Sequence, residues 1–341
     1  MKFLFVVRQL APGGAELATQ LLGRSLQGRG HQIHILCLGD FSADDAALWQ
    51  PWAQVSAIDK HWLRQFTPAA DEQLVLVDGV GHRHAPRKHA ISIIHSDCNA
   101  RFRARKGLIG KVRNRIEARR RYPGREILVS RAMADELSRW SGRTHPVIPN
   151  PFDADAVRRL ANEQGCEVPT PYLLHIGRIS AEKRQDRLIR TYAATPQLQQ
   201  HRLVFVGKEQ DETKPGIPAL QALAAGLGVA DKVLFTGNLY NPFPLLKQAA
   251  CLILCSDSET MGYVLLEAMA LDIPMVSTAT TGGKEVLSNS FPGLVQCNAQ
   301  LGSTIAAALA LPQRFKKSLP ADYDVDAVTD AFERLVENLR S

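Results

Sequence analysis

Short apolar runs alternate with helix-length stretches along the whole chain. In the first half they cover residues 2–7, 32–38, 73–77, 91–94, 126–130 and 146–149. In the second half they cover 172–177, 202–207, 232–237, 251–256 and 273–277. A strand that is apolar at successive positions is covered on both faces. Such runs, separated by helical stretches, predict parallel sheets of five or six strands in each half, with helices on both sides. The fold class expected is α/β, two Rossmann-like doubly wound domains. A length of 341 residues suits two domains. Their boundary is expected at Pro149-Asn150-Pro151-Phe152-Asp153, where two prolines in three residues resist helix and hold the chain extended. This gives an N-terminal domain over 1–150 and a C-terminal domain over 151–320. The last residues, 321–341, are expected to form a helix packing back toward the N-terminal domain.

Charge changes the picture in one place. The chain carries a formal +7, yet residues 101–121 alone hold ten Lys and Arg against one Glu, so the remainder is slightly negative. A generic nucleic-acid binder is basic over a wider surface, and this segment offers only Phe102 for base stacking before Tyr122. Local positive charge points instead to one acidic partner docking at one place. Phe102, Ile109, Val112 and Ile116 recur at helical spacing. Lys106, Arg113 and Arg120 are seven apart and would share a face. The segment reads as a basic amphipathic helix for an anionic membrane surface or a lipid-linked diphosphate, with a solvated surface helix as the alternative.

Other features narrow the setting. Six scattered cysteines include no CxxC pair, and Cys251 and Cys255 in CLILC read as small core residues rather than a metal site. No disulfide framework is visible, so a reducing cytoplasm is expected. The opening MKFLFVV reads as a first strand rather than a signal peptide, and no apolar stretch reaches the roughly 18–20 residues that span a bilayer.

Four motifs carry chemistry. Gly13 and Gly14 stand at the turn from the first strand into a helix, where free N–H groups favour a phosphate or sugar oxygen; Glu16 follows in the first turn. A tight turn with a helix-capping Glu is the plainer alternative. Arg178 and Lys183 flank the turn after the first strand of the second half and could clamp a diphosphate, unless they are ordinary solvated charges. Glu259 lies in a loop after a strand, Gly262 opens the next helix, and Glu267 sits inside apolar VLLEAMAL. A carboxylate there needs a partner, and a ribose diol would serve. His95 and Asp97 end a strand of the first half, at the sheet edge where α/β folds bind ligands; a lone His is usually structural, and the alternative is that His95 orients a hydroxyl or stabilises charge in the transition state, with Asp97 tuning it.

The ordered set GRISAEKR, VFVGK, VLFTGN, ETMGYVLLEAM and TTGGKEVL, with PGGAE, VSRAMADEL and VIPNPFD before it, resembles the retaining glycosyltransferases of family four, which have the GT-B fold. The resemblance covers most of the chain and is of the bacterial glycan-assembly type. It implies two domains facing across a cleft. It implies that Arg178 and Lys183 bind the donor diphosphate, that Glu259 lies beside the donor sugar, and that Glu267 holds the ribose hydroxyls. It also implies a nucleotide-sugar donor, a UDP-sugar, and a glycolipid or lipid-linked saccharide acceptor of surface-glycan assembly. Transfer would retain the anomeric configuration and need neither metal nor cofactor. The setting implied is cytoplasmic, peripheral on the inner face of the cytoplasmic membrane. The sequence departs from the family at Thr260-Met261, where Gly-Phe is common, which changes the side chains near the sugar. Two alternatives stand beside this reading: a nucleotide-sugar epimerase of the same fold, and a non-catalytic sugar- or nucleic-acid-binding protein.

Overall fold

The computed structural model describes residues 1–11, 13–80, 84–86, 90–105, 107–209 and 216–340. The chain divides into two compact units. Unit 1 is Met1–Asp153 together with the segment from Pro320 onward, and unit 2 is Ala154–Leu319.

Unit 1 holds β1 (Lys2–Val7), β2 (Gln32–Leu38), β3 (Gln54–Ile58), β4 (Glu72–Val77), β5 (Ala90–Ile94) and β6 (Glu126–Leu128), all parallel, in the order β3-β2-β1-β4-β5-β6. Alternate side chains of β1 serve two apolar layers. Phe3, Phe5 and Val7 join the larger cluster with Ile35 and Ile91, while Leu4 and Val6 face Leu74 and Leu76 on the other side. The run 146–149 is not a strand: it makes a single bridge, Leu128 to Val147. Pro146 and Pro149 have no N–H to extend a ladder.

The helix Val325–Arg340 completes this unit. Val328, Phe332 and Val336, four apart, are buried in the larger cluster. Arg29 donates to Asp326, Asp330 and Glu333 along the helix, and Thr329 Oγ donates to Ser25 Oγ at 2.9 Å. The outgoing and returning chains lie side by side, with Phe152 N–H donating to Tyr323 O at 2.7 Å.

Unit 2 holds β7 (Tyr172–Ile176), β8 (Arg202–Val206), β9 (Val233–Gly237), β10 (Cys251–Leu254), β11 (Met275–Thr278) and β12 (Leu294–Val295), again parallel, in the order β12-β11-β10-β7-β8-β9. Cys251, Ile253 and Cys255 point together into its core beside Leu173 and Val276. Among the described residues, no helix is long and apolar enough to cross a membrane.

Candidate active site

In each sheet the chain starts in the middle and builds outward first one way, then the other. The reversals fall between β1 and β4 in unit 1 and between β7 and β10 in unit 2. Strand order of this kind opens a crevice beyond the carboxyl ends of those strands, where open α/β sheets bind ligands. Of the motif candidates, Gly13 and Gly14 follow β1, Arg178 and Lys183 follow β7, and Glu259 follows β10.

In unit 2, Gly177 and Arg178 follow β7, and Lys183 ends the short 3₁₀ turn Ala181–Lys183. Glu259 lies in the loop after β10. Its carboxylate accepts a hydrogen bond from Lys183 Nζ, and both side chains are largely covered. The loops are tied at several points. Asp257 N–H donates to Glu182 O at 2.8 Å, Cys255 Sγ donates to Lys183 O at 3.2 Å, and Arg184 reaches Asp257 at 2.9 Å. Beneath them, buried His175 bonds Ile253 O at 2.9 Å, and Gln185 donates to Arg178 O at 2.8 Å. Burial lowers the His175 imidazole to about 4, so it is neutral. Arg178 is not part of this knot. Its guanidinium is 54% exposed and pairs with Glu182 at 3.1 Å.

Gly262 caps the helix Tyr263–Ala270 in the left-handed conformation, φ +72°. A side chain there would be strained and would crowd Glu259 Cγ. Glu267, one helix turn on from Tyr263, is raised to about 7, and burial alone causes the shift. Two hydroxyls that the motifs did not single out, Ser180 and Ser256, have buried oxygens with no hydrogen-bond partner among the described residues.

In unit 1, Gly13 caps the helix Gly14–Gly28 in an extended conformation, and Glu16 curls back over it. A Cβ on Gly13 would collide with Glu16 Oε2. Burial raises the Glu16 carboxyl, and the Asp78 charge adds to the shift. Asp78 ends β4 with φ +53°, an uncommon conformation for a side-chain-bearing residue. Its Oδ1 accepts the backbone N–H of His95 at 2.6 Å and of Ser96 at 2.8 Å. His95 Nδ1 lies 2.8 Å from Asn150 Oδ1. Asn Oδ1 only accepts, so Nδ1 carries the proton and Nε2 is a bare acceptor. Nε2 is buried without a partner among the described residues. Burial lowers the His95 imidazole against the opposing pull of Asp78 and Asn150.

One expectation is corrected here. Asp97 does not serve His95: its carboxylate takes both terminal nitrogens of Arg103 at 2.8 Å and caps Asn99 N–H. The carboxylate at His95 is Asp78, which V-D-G disguised as turn chemistry.

The basic segment is corrected too. It is two helices, Ala100–Ala104 and Gly107–Arg121, broken at Gly107 with φ +77°. Phe102 leaves the stripe and is buried against Tyr122 and Trp140. Leu108 takes its place, 79% exposed, beside Ile109 at 73%, with Val112 and Ile116 also exposed. Arg113 and Arg120 are exposed on the second helix. Lys106 lies outside the described residues.

Comparison with known proteins accords with this architecture. The structure matches that of Anabaena Alr3699/HepE in complex with UDP at TM-score 0.75 and 19% identity, over 99% of this chain and 100% of that one. The fold is GT-B. Within the GT-B chain, residues 158–314 match the sequence model of the family Glycosyl transferases group 1. That span takes in Arg178, Lys183, Glu259, Gly262 and Glu267. The chain is 29% identical over 150 residues to N-acetyl-alpha-D-glucosaminyl L-malate synthase of Bacillus anthracis, covering 44% of this chain and 37% of that protein. It is 26% identical over 176 residues to the lipopolysaccharide core biosynthesis glycosyltransferase LpsE of Rhizobium meliloti, covering 49% of each. The chain thus spans less than half the length of these two curated relatives.

Proposed function

We propose that this protein is a retaining glycosyltransferase that takes a sugar from a UDP-sugar and passes it to a glycolipid or lipid-linked saccharide in surface-glycan assembly. The observation that carries the reading is the Lys183–Glu259 pair at the unit 2 crevice, beside the open helix start at Gly262 and inside the family-matched span. HepE, solved with UDP, supports the choice of nucleotide, and LpsE supports the class of acceptor.

In this reading the diphosphate lies on the N–H groups after Gly262, with Lys183 and Arg178 neutralising the charge that builds on the leaving group. Lys183 is held by Glu259 until the diphosphate arrives. Arg178 turns from exposed Glu182 to reach it. Glu267 accepts from the ribose hydroxyls, and Glu259 lies beside the sugar. Within unit 1, Gly13 and Gly14 offer backbone N–H groups to a phosphate or sugar oxygen, beside Glu16. His95 Nε2, neutral and unpartnered, accepts from a sugar hydroxyl. The decisive experiment is a panel of nucleotide sugars followed by thermal stabilisation and donor hydrolysis. UDP-sugars are expected to stabilise the protein and to be hydrolysed slowly without acceptor. An epimerised donor or no nucleotide binding at all would reject the reading.

Among the described residues, no three His, Cys, Asp or Glu side chains are grouped so as to hold a metal. Activity is expected to persist in excess chelator, with Lys183 and Arg178 supplying the charge on the leaving group. Loss under chelator with recovery in manganese or magnesium would remove Lys183 and Arg178 as the sole charge on the leaving group.

The helix Gly107–Arg121 supports a peripheral site on the inner face of the cytoplasmic membrane. Its exposed Leu108, Ile109, Val112 and Ile116 are flanked by Lys111, Arg113, Arg115 and Arg120. Each basic residue near an anionic surface contributes about 1 kcal/mol, fading within a Debye length. Changing Lys106, Arg113 and Arg120 together to Glu is expected to release the protein from vesicles containing anionic lipid. Transfer to a lipid-linked acceptor should fall while donor hydrolysis is spared. Flotation at low and high salt checks this. A wild type that ignores anionic vesicles even at low salt would show a merely solvated helix.

A further inference from the structure

Unit 1 contains a cavity of about 360 Å³ that the reading above does not use. Its size falls in the range of small-molecule sites, roughly 300–1,000 Å³. It lies on the face of the sheet opposite the larger core. There β5 presents Ala90 and Ser92, with Ile94 shared between the cavity and the larger core, while Ile91 and Ile93 point into that core. The apolar layer on this face runs from Leu4 through Leu74 and Leu76 and ends at Ala90. Ala90 and Ser92 are too short to fill the space beyond it.

The charges around the cavity are unevenly committed. Three carboxylates line it, and each is engaged. Asp78 accepts two backbone N–H groups, Asp97 is paired with Arg103, and Glu126 accepts Gly124 N–H at 2.9 Å and faces His145 at 3.3 Å. Of three arginines, Arg101 is paired with Glu117 at 3.1 Å. Arg121 and Arg125 have no carboxylate partner among the described residues, although Arg121 lies 5.8 Å from the centre of the Tyr122 ring. Two uncommitted guanidinium groups at a cavity with an apolar wall fit an anionic head on a carbon skeleton, and guanidinium geometry suits phosphate oxygens.

We propose that this cavity binds a phosphate monoester carried by the acceptor, with Arg121 and Arg125 holding the phosphate and Leu76 and Ile94 against the attached skeleton. Calling the ligand an acceptor rests on the glycosyltransferase reading; the anion site does not. The phosphate belongs either to a soluble sugar phosphate or to a lipid headgroup, and the same chemistry recognises both.

Titration calorimetry of the full chain tests the site with inorganic phosphate, glucose 1-phosphate and dihexanoyl phosphatidic acid. The wild type should bind phosphate and bind at least one of the two esters more tightly. The tighter ester names the source. Arg121→Ala with Arg125→Ala should weaken all three by on the order of thirtyfold or more, as expected for two lost charge-assisted hydrogen bonds. The double Lys variant should recover part of the loss. UDP titrated into the same samples separates this proposal from the donor site, because the variants should bind UDP as the wild type does. Phosphate affinity that is absent in the wild type, or unchanged in the Ala variant, overturns the site whatever UDP does. If UDP fails to bind any sample while the phosphate loss appears, the donor reading falls and the anion site stands.

Discussion

Lys183→Ala is expected to lower turnover by on the order of a hundredfold or more, because it removes a charge-assisted contact to the leaving diphosphate from a covered position. The variant also leaves Glu259 without its cation. The double variant Lys183→Ala, Glu259→Ala therefore serves as the control for an unpaired carboxylate. Arg178→Ala should act in the same direction. Its side chain is exposed and, among the described residues, tied only to Glu182, so the unliganded fold should hardly notice the change. Steady-state rates on a hydrolysed donor, with circular dichroism and thermal midpoints to confirm folding, decide the matter. Near-normal rates in both single variants would take the clamp out of the mechanism.

Glu267→Gln is expected to weaken UDP roughly tenfold or more, whereas Glu259→Gln should leave UDP binding no weaker and reduce transfer. The Glu267 carboxyl adds a pH signature. Its folded value, about 7, lies above the ordinary carboxylate range. The folded protein keeps a proton that the unfolded chain releases, so stability falls as pH rises from the ordinary range through about 7. Glutamine cannot titrate, so the variant should lose that slope. If the ribose hydroxyls donate to the carboxylate, UDP binding favours the ionised form. Wild-type affinity should then rise with pH through about 7 more steeply than the variant's, which keeps only the slope that the UDP terminal phosphate, ionising near pH ~6, imposes on both. Calorimetry with UDP at several pH values reads both effects. Equal losses of UDP affinity in the two glutamine variants would contradict separate roles.

The two sheets were legible because buried parallel strands write continuous apolar runs. What escaped was what buries little. In β3, Gln54 and Ser56 interrupt the apolar residues, as an edge strand allows. In β12 only Leu294 and Val295 pair, too short a run to register. The positions of the unit 2 candidates were legible because these residues follow strands closely and have distinctive neighbours. Asp78 was not, because an Asp-Gly pair after a strand is ordinary turn chemistry; only β5 lying beside β4 gives its carboxylate the N–H of His95 to hold. The stripe on the basic helix was misphased by Gly107. A left-handed residue resets helical phase, and no periodicity count carries across it.

The return of the last helix to unit 1 has a consequence for how the protein is made. Unit 2 is contiguous and has all its residues once Leu319 has left the ribosome. Unit 1 begins before unit 2 and is completed only after it, since Val328, Phe332 and Val336 are synthesised after the whole of unit 2. Until Phe332 has been synthesised, Phe3 lacks the ring that packs 5.7 Å away, and the nascent first domain exposes that apolar surface. Domains usually fold in the order they emerge; here the second completes its core while the first waits, so a stop codon shortly before residue 328 injures the domain farthest from it in sequence.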